Sequence, residues 1–339
     1  MSSNSLTSSY TEFISEWASN SVYLVICMGV AQSLCVFGIF ANIANIFLFR
    51  KMGYQEGVNV TLTALAVCDI GNLVFKWGLI ILNNPLMVIK DRNFFDVFVL
   101  TFAGYPSKYF IRVSTMITAF AALERCLCVI FPLKVKSMIT AKVALIVNIF
   151  IFLFHSLYLF PRYYVTYIDW THVTGKNESI LAVLYKDNKD SVIPVASFLI
   201  DMVLPYSTFA ILVFCSSVIF VKLKSMSKWR QSVSSKKDPK STLSSKDQKT
   251  AKLFMTVSFM CVMFLLPDSL LFTIAGAMGL PSPNGGYGEK VKLAANLLLL
   301  PHIINCSCTI LIYYKMSTRF RLEFQRVLNG CWKWGALKS

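Results

Sequence analysis

The sequence predicts an all-α membrane protein: a bundle of seven helices that each cross a bilayer, followed by a short amphipathic helix. Three observations predict it. Hydrophobic residues make up 55% of the 339 and the mean hydropathy is +0.59, where a soluble domain is roughly 45–50% apolar. The excess lies in runs of bilayer length. Charged residues are only 15% of the chain and cluster between those runs, with Lys and Arg concentrated in alternate connections, as repeated crossing requires.

A span needs about 20 mostly apolar residues. Seven segments meet this: 22–49, 58–83, 96–130, 141–161, 192–223, 249–278 and 291–314. The first runs from Val22 to Phe49 with no charge. The second carries Asp69, Lys76 and Trp77. The third is the most polar, with Lys108 and Arg112 in its first half and Glu124 and Arg125 at its end. The fourth is apolar around a lone histidine, His155. Here Phe150, Phe152 and Phe154 read as lipid-facing surface. The sixth and seventh contain Pro267 and Pro301. Membrane helices tolerate proline because neighbouring groups and water satisfy the freed backbone.

Orientation follows from the basic residues near the span ends. The 1–2 connection has Arg50 and Lys51, and the 3–4 connection Lys134 and Lys136. The 5–6 connection, about 224–248, is Ser/Lys-rich and reads as a flexible loop. The tail adds Lys315, Arg319, Arg321 and Arg326. The C-terminus is therefore expected in the cytosol and, with an odd number of spans, the N-terminus outside. Met1 to Ser21 is polar and lacks the pattern of a cleaved signal, so the first span is expected to act as its own insertion signal. The expected organisation is an extracellular 1–21, a spanning domain 22–314 and a cytoplasmic tail 315–339. In the outer 4–5 connection, Asn177-Glu178-Ser179 is a glycosylation sequon. Beyond the last span, Phe320, Phe324, Val327 and Leu328 recur at helical spacing beside arginines, which suits a helix lying on the inner leaflet. Cys331 just after it is a candidate for palmitoylation.

The net charge of +16 is accounted for by these inward segments, and no nucleic-acid-binding motif accompanies it. None of the ten cysteines falls in an outer segment, which excludes an extracellular disulfide framework. No metal spacing, phosphate loop or nucleophile elbow is present, so an enzyme is not expected, nor a cofactor.

Ionisable residues inside spans are costly and are functional candidates by default. Glu124 beside Arg125 can form an ion pair that Asp247, before the sixth span, would extend. The competing reading is a snorkelling arginine at a helix end. In the outer half, Lys76, Trp77, Ser107, Lys108, Arg112, Asp201, Asp268 and His302 are candidate ligand contacts. The three cations suit an anionic group, unless they pair internally with Asp201 and Asp268.

Several motifs then point one way. Glu124-Arg125-Cys126 with Pro132 downstream resembles the acid–Arg–aromatic triplet of rhodopsin-like (class A) G-protein-coupled receptors, with cysteine in the tyrosine's place. Leu65-Ala66-Val67-Cys68-Asp69 is similar to that family's span-two motif, Gly38 and Asn42 to its span-one pair, Pro205 to its span-five proline, and Asn305 to Tyr314 to its last span. The stretch 124–136 is similar to invertebrate, especially molluscan, peptide-receptor-like and chemosensory receptors. The resemblance implies an activation switch at Glu124, Arg125, Asp247 and Tyr313. It also implies a mid-bundle polar cluster of Asn42, Asp69, Ser114 and Asn305 that can hold an allosteric sodium ion. The chain departs from the family in its last span, which keeps only Tyr313 of the Asn-Pro-x-x-Tyr motif, in the missing span-six tryptophan, and in Leu100, which replaces the cysteine of the outer disulfide. Ser107 stands where amine receptors carry aspartate, and the last span lacks a retinal-binding lysine.

The expected function is a plasma-membrane receptor that binds a neuropeptide or a small chemosensory molecule and activates a heterotrimeric G protein. The alternatives are a transporter or channel using its intramembrane charges and a non-signalling membrane scaffold.

Overall fold

The computed structural model describes residues 29–82, 98–131, 139–172, 179–232, 245–277 and 298–336. The sequon at Asn177 and the segment 1–21 lie outside them. Helix α1 (Gln32–Met52) ends at Gly53, whose φ of 85° lets its N–H turn back onto the carbonyls of Phe49 and Arg50, both at 3.1 Å. Only glycine adopts that conformation without strain. Helix α2 spans Gly57–Leu82. A π-helical turn, Leu100–Gly104, leads into α3 (Tyr105–Ile130). Helix α4 (Ala141–Ser156) starts at Thr140, whose hydroxyl accepts from the Val143 N–H, the usual device for satisfying a first-turn donor.

Among the described residues, six helices are long and apolar enough to cross a membrane. The fourth expected span bends at Leu157 and Tyr158 and continues as α5 (Leu159–Val165). The fifth comprises α6 (Lys189–Ser197), a π-helical stretch Phe198–Val203 and α7 (Leu204–Ser232). The sixth is α8 (Ser245–Ala277). The segment expected to be the last span is divided into α9 (Leu299–Ser307) and α10 (Thr309–Met316). The break at Cys308 has a physical cause. The carbonyl of Cys306 accepts from the Asn42 amide at 2.9 Å and from the Thr309 hydroxyl at 3.3 Å, and side chains inserted into the helical ladder bend it. Beyond Ser317 the chain turns into α11 (Thr318–Ala336), with the Ser317 hydroxyl accepting from the Phe320 N–H.

Two expectations about connections are corrected. The 4–5 connection is a β-hairpin, in which β1 (Thr166–His172) pairs antiparallel with β2 (Ser179–Tyr185) in the register Thr166↔Tyr185 to His172↔Ser179, so the fold is not purely α. Its β-branched and aromatic residues favour strands. The 5–6 connection is in part helical, because α7 continues to Ser232 and α8 begins at Ser245. Extending a helix already nucleated in the bundle adds one bond per residue fixed, which spares a Lys/Ser-rich segment the cost of starting a new one.

Helix α3 lies at the centre and packs against α2, α4, α7 and α8. Its buried face includes Ala119, Ala121 and Ala122, small enough to let neighbours approach closely. The outward faces are apolar: Phe40, Phe150 and Phe214 are each more than 60% exposed, as lipid-facing side chains of a multi-pass membrane protein must be. Phe152 corrects its expected place, for it packs inward against the cluster around Ile117 and Ile151. His155 is also buried, its ring Nδ1 3.0 Å from the Ile151 carbonyl oxygen. A polar contact ties α4 to α2, where the Asn148 amide donates to the Thr61 hydroxyl at 3.3 Å. Thr61→Val is expected to lower the thermal stability of purified protein by about 0.6 kcal/mol, and by no more than about 1.7. An unchanged melting curve would show that the contact does not contribute.

Candidate functional site

The bundle has a polar cleft at each end, with a hydrogen-bonded network between. In α3, Lys108, Ile111 and Arg112 stand at i, i+3 and i+4, so a single helical face presents both cations. Opposite them are Asp268 and Ser269 of α8 and His302 of α9. These residues line a cavity of about 10 Å3, room for one water-sized group. Asp201, in the π-helical stretch before α7, lies 3.6 Å from Arg112 and 2.5 Å from Arg162. The Arg162 guanidinium also lies over the rings of Tyr105 and Tyr158, at 4.8 and 5.3 Å from their centroids, within cation–π range. His302 Nε2 is 3.6 Å from Asp268 Oδ2, beyond hydrogen-bond length. Lys76 is buried, in electrostatic contact with Asp268 and Lys108.

The expected ligand contacts therefore divide. Lys76, Lys108, Arg112, Asp201, Asp268 and His302 gather at this end. Trp77 does not, since it is 38% exposed on the outer surface of α2 because it follows Lys76 by one residue and so points about 100° away on the helix. Ser107 is buried and donates to the Asn72 side chain at 2.8 Å, a contact between α2 and α3. Arg162 was not anticipated, because it lies past a bend in the chain and pairs with a residue far away in sequence.

In mid-bundle, the Ser114 hydroxyl donates to Asp69 Oδ1 at 3.1 Å and the Cys306 thiol hydrogen-bonds the same carboxylate. The Asn72 amide donates to Cys306 Sγ at 3.2 Å. Asn42 belongs to a separate cluster, donating to the Gly38 and Cys306 carbonyls and accepting from Asn45 and Thr309. The contributions from α9 and α10 come from Cys306 and Thr309, the first standing where Asn305 was expected. A hard cation seeks a shell of oxygen ligands. Around Asp69 there is one hydroxyl and a soft thiol, while Asn42 is turned to other partners, so these residues do not fit a sodium ion. They form a closed network joining α2, α3 and α9.

At the other end, Glu124 and Arg125 form a buried ion pair. The Arg125 guanidinium lies 6.0 Å from the centroid of the Phe254 ring, and its Nε has no hydrogen-bond partner. Both residues border a cavity of about 700 Å3 between the ends of α1, α3 and α10 and the starts of α2, α4, α8 and α11. Tyr313 closes one wall with its ring edge-on to Phe49 at 5.4 Å and to Phe320 at 5.7 Å. Three polar contacts seat α11 there: Arg319 meets Glu56 at 3.2 Å and donates to the Met52 carbonyl at 2.8 Å, and Lys249 of α8 donates to Thr318 at 3.3 Å. Phe320, Phe324 and Val327 of α11 pack inward, whereas Leu328 is exposed. The side chains of Asp247 and Cys331 lie outside the described residues. The eight cysteines described are free thiols.

Residues 29–331 match the model of a family described as serpentine type 7TM GPCR chemoreceptor Srw. The FMRFamide receptor of Drosophila melanogaster is 22% identical over 90% of this chain and 54% of its own length. The thyrotropin-releasing hormone receptor of Ovis aries is 22% identical over 91% of this chain and 79% of its own length. The chain thus spans about half the length of the first of these relatives.

Proposed function

The chain belongs to the serpentine type 7TM GPCR chemoreceptor family Srw, and from that premise we propose that it is a plasma-membrane receptor coupled to a heterotrimeric G protein. It has seven spans, with α9 and α10 belonging to the last, and α11 lies as an amphipathic helix on the inner leaflet. The Arg112 end of the bundle receives an extracellular ligand, a neuropeptide or a small chemosensory molecule. The Arg125 end opens to the cytosol, where the basic flanks Arg50, Lys51, Lys249, Lys252, Lys315 and Arg319 support this orientation.

One observation carries the reading: the same two helices, α3 and α8, line both clefts. Lys108 and Arg112 lie on α3 at one end and Arg125 at the other. Asp268 and Leu253 mark the corresponding ends of α8. A ligand that binds one arrangement of these helices more tightly shifts the population toward it, and the shift is felt at the far cleft as a coupling free energy. In the closed arrangement, the Glu124–Arg125 pair within α3 fixes the Arg125 guanidinium over Phe254 of α8, and the Lys249–Thr318 contact holds α8 against α11. Opening widens the 700 Å3 cavity and frees Arg125 to meet the G protein.

The test is guanine-nucleotide exchange by a panel of Gα subunits in membranes carrying the full chain, with an N-terminal epitope read on intact cells. Exchange above that of membranes without the protein, and its loss in Arg125→Ala at equal surface density, is the expected result. No exchange with any Gα, together with solute flux in liposomes lacking a G protein, would replace the receptor reading with a transporter. An epitope inaccessible on intact cells would reverse the orientation.

A further inference from the structure

The cavity of about 700 Å3 at the Arg125 end falls in the size range of pockets that hold whole small molecules. Part of its wall is apolar and aromatic, built from Phe49, Leu62, Leu253, Tyr313 and Phe320, all of them buried. Its polar groups are unevenly used. Both carboxylates among the described lining residues are already held by arginines, Glu124 by Arg125 and Glu56 by Arg319. Glu124 engages the Nη2 atom of Arg125. The Nε atom of the same guanidinium is buried without a hydrogen-bond partner, on a residue only 8% exposed. The exposed Lys249 ammonium donates to the neutral Thr318 hydroxyl at 3.3 Å, and an ammonium carries three donors. A cation entering here would meet carboxylates already paired. An anion would supply the acceptor that the buried Nε–H needs and a counter-charge beside Lys249.

We infer that this cavity binds an amphipathic organic anion, a carboxylate or phosphate ester on an apolar body, and that the bound anion holds the receptor closed. The inference rests on the receptor reading and names a regulator of its cytoplasmic site. The head group accepts from the Arg125 Nε–H, with Lys249 as a second cation on the cavity wall. The apolar body lies against Phe49, Tyr313 and Phe320, where its removal from water is favourable. Charge-assisted hydrogen bonds to a guanidinium are among the strong ones, and salt screens them less in a walled cleft than on an open surface. Arg125 belongs to α3, and Lys249 and Leu253 to the start of α8. A ligand in contact with both helices ties them across the gap that opening must widen. It therefore binds the closed arrangement more tightly and shifts the population toward it. The G protein enters by the same cleft, so the two occupants exclude one another. The head group arrives either on a cytosolic solute or on a lipid of the inner leaflet, and its chemistry is the same in both.

The experiment measures thermal unfolding of the purified full chain in phosphatidylcholine nanodiscs at constant ionic strength, with basal nucleotide exchange on Gα read in parallel. The soluble probes are naphthyl phosphate and naphthoate, set against naphthylmethylamine and naphthylmethanol, which share the apolar body. A second set of nanodiscs contains phosphatidic acid and no soluble probe. The anions are expected to raise the melting midpoint saturably and to lower basal exchange, and the amine and alcohol to do neither. Stabilisation by the soluble anions supports a cytosolic source, and stabilisation by phosphatidic acid alone supports a lipid one. Arg125→Gln is expected to weaken the apparent affinity about tenfold or more, as loss of a charge-assisted hydrogen bond does. Lys249→Gln, at an exposed position where folding is not at stake, is expected to weaken it about threefold at low salt. Equal stabilisation by the amine or the alcohol would overturn the inference, as would no stabilisation by any anion or a rise in exchange when an anion binds. Intact exchange without anion binding removes the regulator alone. Anion binding without exchange on any Gα keeps the site and removes the receptor reading.

Discussion

Glu124→Gln is expected to raise ligand-free nucleotide exchange by about tenfold or more at equal surface density. The substitution keeps the shape of the side chain and removes its charge. Arg125 is then a buried cation whose paired carboxylate is gone. Removing one partner of a buried pair costs about 3–5 kcal/mol. Here the cost falls on the closed arrangement, because in the open one Arg125 reaches the enlarged cavity and solvent. Even half of that penalty, expressed as a difference between the two arrangements, shifts their ratio by about tenfold, since each 1.4 kcal/mol is a factor of ten. The measurement is GTPγS binding in membranes, with Arg125→Ala as the silent control. Basal exchange equal to that of the unsubstituted protein would show that the pair is not the restraint.

Gly38→Val is expected to remove most of the folded protein from the cell surface. A Cβ at Gly38 would lie 2.2 Å from the Ser307 Oγ, 2.9 Å from the Ser307 Cβ and 2.7 Å from a Leu73 methyl carbon. The absence of a side chain at Gly38 lets α9 approach α1 closely, so that the Ser307 hydroxyl donates to the Leu34 carbonyl at 3.0 Å. It also places Asn42, one turn further on, within reach of the Cys306 carbonyl. Overpacking costs about 1–3 kcal/mol and sometimes more. Pushing α9 away would also break both hydrogen bonds. Gly38→Ala is expected to give an intermediate loss. Gly78→Val, where a Cβ meets nothing within 4 Å, is expected to be tolerated. Normal surface density of Gly38→Val would show that α9 can yield without unfolding the bundle.

Much of the molecule was legible in the linear order of its residues. A helix must bury its backbone polar groups in its own hydrogen bonds to cross hydrocarbon, so apolar runs of span length locate the helices directly: the expected 58–83 is Gly57–Leu82, and the end of the third span at residue 130 is the end of α3. Charges inside such runs are costly enough to mark sites, which is why Lys108, Arg112, Asp268 and His302 were identified and share one cavity. The hairpin was missed because strands of seven residues, one of them a short continuous apolar run, are a weak signal beside long apolar helices. The two families of hydrogen bonds around Asp69 and Asn42 were read as one cluster because sequence supplies the rotational phase of each helix only roughly.

Composition and residue order by themselves determined that this is a multi-pass helical membrane protein of a receptor family with charged groups in its interior. The reason is local: hydrophobic length, basic flanks and short motifs are properties of consecutive residues. Tertiary structure alone decided the partners of those groups. It joined Arg162 to Asp201 across 39 positions and directed Trp77 outward while Lys76 turned inward. It also set a glycine of α1 against a serine of α9. Such pairings depend on how helices rotate and approach one another, and packing of the whole bundle, rather than any one segment, sets those angles and distances.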